Sequence, residues 1–129
     1  MSDAVVVTGL GVLGAFGAGR DALLQGLRGG RPRLSLVDRA AGYHRPGGAR
    51  FAALADLSEL PGLVPPALAR RMSPPARMAV AAMQLALADA GLAGIAHDGT
   101  GIVTGTAFGP AWVTEQLLCQ ILGQGPDQA

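Results

Sequence analysis

The sequence predicts an α/β fold with a mostly parallel sheet, on three observations. Residues 4–8 and 101–106 are short apolar runs rich in β-branched side chains, as in parallel strands buried on both faces. Both runs lead into glycines, Gly9 and Gly11 after the first and Gly105 and Gly109 at the second. Helix-forming segments alternate with them, which is the pattern of βα units.

Taken in order, residues 4–8 form the first strand, and a glycine-rich turn continues through Gly17 and Gly19. Residues 20–28 form a helix with Leu23, Leu24 and Leu27 on one face and Gly29-Gly30 as its stop. Residues 34–37 read as a second short strand. Residues 39–50, with Gly42, Pro46, Gly47 and Gly48, form an irregular loop. The run 51–57 fits strand or helix and is assigned to strand.

The clearest helix follows Ser73. That serine is a good N-cap, Pro74 occupies the tolerated first helical position, and Gly91 is the expected stop. Arg77 and Gln84 share a face while almost every other position is apolar, so this helix is expected to be buried nearly all round. His97-Asp98-Gly99 makes a turn, residues 111–122 form the last helix, and 123–129 read as an unfinished connection. So few strands around so apolar a helix imply that residues 1–129 are one domain, incomplete in itself.

Composition narrows the function. Half of the 129 residues are apolar, but many are alanine, so packing must rest on close approach of backbones rather than on large side chains. Lysine is absent, which removes a Walker lysine, a Schiff-base lysine and a lysine general base together. A net charge of +1, scattered arginines and only five aromatics (Phe16, Tyr43, Phe51, Phe108 and Trp112) argue against nucleic acid as a partner. Arg70-Arg71 is the one tight basic pair and reads as a solvated patch or ion-pair partner. A single cysteine excludes an internal disulfide and fits a reducing compartment. The N-terminal run lacks a basic start and is broken by glycines, so it is neither signal peptide nor membrane span. A cytoplasmic protein without a membrane partner is expected.

Several patterns could carry chemistry. Gly9, Gly11 and Gly14 have the G-x-G-x-x-G spacing of a dinucleotide site, and Asp38 ends the second strand where a ribose-binding carboxylate could sit. Against this, glycines continue through Gly17 and Gly19, so the helix starts well after the motif, whereas in the fingerprint its N-terminus is the phosphate site. Cys119 lies mid-helix among large apolar residues, and a buried, unactivated thiol is expected. His44 in a loop and His97 in a turn have no second ligand at metal spacing, so no metal is expected. Asp89 and Asp98 flank structural glycines and fit turn and cap roles. No serine stands in a G-x-S-x-G elbow.

Three segments taken jointly are more specific. The run Val5-Val6-Val7-Thr8-Gly9-Leu10-Gly11-Val12 with Gly14 and Gly17 resembles the opening strand and turn of β-ketoacyl synthases. Arg70-Arg71-Met72-Ser73, with the alanine-rich helix ending Ala88-Asp89-Ala90-Gly91-Leu92, resembles that family's next hallmark. Gly101-Ile102-Val103-Thr104-Gly105-Thr106-Ala107-Phe108-Gly109 is similar to its strand with a G-T-G-x-G-G ending, with Ala107 and Pro110 in place of two of the glycines. Order and spacing match over nearly the whole chain.

The resemblance implies the N-terminal half of a thiolase-like fold, in which two similar α/β halves stack as α-β-α-β-α layers. It implies decarboxylative Claisen condensation on carrier-protein-bound chains in fatty acid or polyketide synthesis. In that chemistry a cysteine takes the acyl chain and two histidines assist decarboxylation and stabilise the oxyanion, with no metal or nucleotide cofactor. The implied partners are acyl carrier protein and a synthase subunit, in a homo- or heterodimer. The family's nucleophile lies tens of residues beyond the last matched segment, and Cys119 does not match it, so no catalytic residue carries over. Phe108 alone carries over, as a candidate for the acyl pocket or the dimer interface. Three readings stay open: the N-terminal part of a synthase, inactive alone; a non-catalytic partner subunit; and a small NAD(P)-binding module.

Overall fold

The computed structural model describes residues 4–37, 50–58, 60–95 and 98–128. Asp38, His44, His97 and most of the expected loop 39–50 lie outside the described residues.

The chain enters as an extended segment, residues 4–11, and folds into a tight antiparallel hairpin of β1 (Leu13–Gly14) and β2 (Gly17–Ala18). Leu13 pairs with Ala18 and Gly14 with Gly17. Gly17 closes the hairpin at φ +118°, a conformation that favours glycine. Helix α1 (Arg20–Gly29) follows, held at its start by the Gly19 N–H donating to the Val12 carbonyl at 2.8 Å. Asp21 in its first turn and Arg28 in its last complement the helix dipole. Gly30 ends it in the left-handed conformation, donating to the Leu27 carbonyl.

β3 (Ser35–Leu36) and β4 (Phe51–Ala52) form a second antiparallel ladder, extended by Val37 N–H donating to the Arg50 carbonyl at 2.7 Å. The Asp56 N–H then donates to the Gly14 carbonyl at 3.0 Å and ties this part of the chain back to β1. Two single-turn helices that local periodicity does not announce, α2 (Leu60–Leu63) and α3 (Pro66–Ala69), lead into α4 (Pro74–Asp89). Helix α5 (Ala111–Gln124) and a 3₁₀ turn (Pro126–Gln128) complete the order.

Helix α4 is the centre of the arrangement, with α2 and β1 packed against it. Both of its ends follow from local chemistry. Ser73 Oγ accepts the Ala76 N–H at 3.4 Å, and Pro74 needs no donor there. At the other end Gly91 sits at φ +71°, its N–H donates to the Ala88 carbonyl, and the Leu92 N–H reaches the Leu87 carbonyl at 2.8 Å. Those two bonds are a Schellman motif, which satisfies the last carbonyls of the helix.

Four expectations differ from what the described residues show. Among the described residues both ladders are antiparallel, so the mostly parallel sheet is not formed here. Residues 4–8 and 101–106 are extended, but their main chains make no hydrogen bond among the described residues, and a strand exists only through a partner. The run 51–57 is strand only at Phe51 and Ala52. Helix α4 is not buried all round: Ala81 is its one fully buried residue, and Met83 is exposed. Val64, between α2 and α3, completes the buried core among the described residues. The chain exposes 10375 Å², whereas a compact monomer of 12.9 kDa would expose roughly 6300 Å². The apolar faces the sequence builds are present, but the layers that would cover them are not among the described residues.

Candidate functional site

The glycine motif is where the extended N-terminal segment meets α4. A side chain at Gly11 would run into the Ala82 carbonyl and stand 2.6 Å from the Ala86 nitrogen. One at Gly9 would run into the Ala86 carbonyl and stand 2.8 Å from both the nitrogen and the Cβ of Ala90. These neighbours are mostly helix backbone, which cannot swing aside, so only glycine fits at both positions. Gly14, third in the motif, lies in β1 with nothing within 4 Å of the place a Cβ would take. The three glycines therefore do not act as one site.

Leu10, between the two packed glycines, donates its N–H to Asp89 Oδ2 at 3.0 Å. The other carboxylate oxygen, Oδ1, accepts from Arg20 Nη1 at 2.8 Å. Asp89 is the last residue of α4, the end at which the helix dipole disfavours an anion. The arginine and the charge-assisted bond from Leu10 offset that cost. Beyond the turn and cap role expected of it, Asp89 joins three elements: the extended segment, α1 and α4. An acidic residue in a last helical turn with no cation beside it on the same helix was the signal available in the sequence.

This geometry bears on dinucleotide binding. The oxygens nearest Gly9 and Gly11 are helix carbonyls, which repel phosphate, and the Leu10 N–H already serves a carboxylate. The helix that should receive a pyrophosphate starts at Arg20, after the hairpin, with Gly19 at its cap.

A groove of about 610 Å³ opens on the flank of α4, lined by Thr8 and Gly9, by Met83 and Leu87 of the helix, and by Ile102 and Val103 of the second extended segment. None of its lining residues is titratable; threonine hydroxyls are its only polar side-chain groups. The lining among the described residues is therefore predominantly apolar.

Phe108 stands beyond the second extended segment, 89% exposed. Its turn is well defined: Gly109 sits at φ +56° and donates its N–H to Thr106 Oγ1 at 3.0 Å. Pro110, where the family pattern has glycine, caps α5 and accepts the Thr114 N–H at 3.1 Å. The retained Gly109 thus takes the left-handed position, and the proline fits the helix start. Cys119 is exposed on α5, which corrects the expectation of a buried thiol. Trp112, Leu118 and Leu122 of the same helix are exposed as well, because no other long element packs on it among the described residues. Arg70 and Arg77 line a small hollow with Leu60, Val64 and Pro66, and Arg77 Nε donates to the Met72 carbonyl at 3.0 Å. Among the described residues no three histidine, cysteine or acidic side chains are grouped to hold a metal. No helix there is long and apolar enough to cross a membrane.

An α/β chain whose glycines seat an extended segment on an alanine-rich helix, with a Gly-Thr turn before the last helix, is the class of protein these features define. The family model for the beta-ketoacyl synthase N-terminal domain matches residues 2–123. The chain belongs to that family, and a thiolase-like α/β fold follows from membership. No curated protein and no solved structure matches it.

Proposed function

We propose that residues 1–129 are the N-terminal part of a β-ketoacyl-acyl carrier protein synthase-like protein, serving decarboxylative Claisen condensation of acyl and malonyl thioesters in fatty acid or polyketide synthesis. The observation that carries this reading is the seating of Gly9 and Gly11 against the backbone of α4. It gives the family's glycines a packing role and leaves them no anion to bind.

In this reading the residues scaffold the reaction and are inactive alone. The nucleophilic cysteine and the two histidines of the family's chemistry are not among residues 1–129, and Cys119 on α5 takes no acyl chain. Phe108 lies at the acyl pocket or the dimer interface. Acyl carrier protein and a synthase subunit are the partners, in the cytoplasm, with no nucleotide or metal cofactor. Incubation with acyl- and malonyl-carrier thioesters is expected to release no carbon dioxide and to leave the intact mass unchanged. An acyl adduct on Cys119 overturns the assignment.

The exposed apolar face of α5, with Trp112, Leu118 and Leu122, favours a second form of the reading, a non-catalytic subunit that dimerises with an active synthase. Co-expression with a full-length β-ketoacyl synthase separates the two: stable co-elution supports the subunit, and separate elution counts against it. The small NAD(P)-binding module is the weakest reading, since Asp89 already occupies the Leu10 N–H. Millimolar NADH or NADPH is expected to leave the melting temperature unchanged.

A further inference from the structure

We draw no further inference here: the strongest candidate, the apolar groove on the flank of α4 between Thr8, Met83 and Ile102, carries nothing because no observation in the structure shows what covers it.

Discussion

Arg20, the first residue of α1, holds Asp89, the last residue of α4, at 2.8 Å, and the same carboxylate accepts the Leu10 N–H at 3.0 Å. One acidic side chain therefore fixes where the N-terminal segment and the first helix lie on the central helix. The Asp89 side chain is 20% exposed and that of Arg20 49%, so the two ends of this link differ in worth.

Asp89→Ala is expected to destabilise the protein by about 1–2 kcal/mol, because it removes the charged acceptor of the Leu10 N–H and leaves Arg20 only its exposed neighbour Asp21. Arg20→Ala is expected to cost less, about 0.5–1 kcal/mol, because solvent screens the half-exposed arginine. Urea denaturation of both single variants and the double variant measures the coupling. Additive losses would show that the pair does not act as a link.

Gly11→Ala is expected to cost about 3 kcal/mol or more, since the new methyl group meets helix backbone rather than a movable side chain. Gly14→Ala, in open space, is expected to stay within about 0.5 kcal/mol. Thermal melts of the two variants check this, and equal losses would return the glycines to a common role.

Ser73→Ala removes the acceptor for the Ala76 N–H and is expected to lower stability by about 1 kcal/mol. Ser73→Asp keeps an acceptor at the cap and is expected to restore most of it. Far-ultraviolet circular dichroism through a urea titration follows both.

Asp56 supplies a pH dependence of known sign. The Ser58 N–H at 3.0 Å, then the Ser58 side chain and the nearby Arg33, hold its carboxyl below the ordinary value of 3.8. A depressed folded value means that its contribution is complete above the unfolded value and is lost as pH falls through the folded one. Stability is expected to drop on acidification below about pH 4, and less steeply in Asp56→Asn. Denaturation midpoints across that acid range read the difference in slope.

Phe108→Ala is expected to leave the stability of the chain itself unchanged, since the ring is 89% exposed. Assembled with a synthase, the same change is expected to shift the distribution of acyl chain lengths or weaken the assembly. Product profiles and gel filtration distinguish those two outcomes, and no effect on either would remove Phe108 from both surfaces.

What was legible in the sequence is what local chemistry decides. The ends of α4 follow from Ser73, Pro74 and Gly91, and the start of α1 after Gly19 follows from the same kind of punctuation. Family membership was legible because three separated segments keep their order and spacing. The β1–β2 hairpin is not legible because Leu13 and Ala18 are unremarkable alone, and their pairing goes with Gly17 at φ +118°. Asp38, His44 and His97 lie outside the described residues, so their readings stand as expectations.

The sequence by itself determined the three long helices, the caps of α4 and the apolar character of residues 4–8 and 101–106, because each depends on neighbours within a few residues. Tertiary structure alone decided which glycines are irreplaceable and what Asp89 does. Gly9, Gly11 and Gly14 look equivalent along the chain, yet only the first two lie against the carbonyls of α4. Residues 4–8 and 101–106 have strand-like composition, but a strand is completed by a partner's hydrogen bonds, and composition cannot supply those.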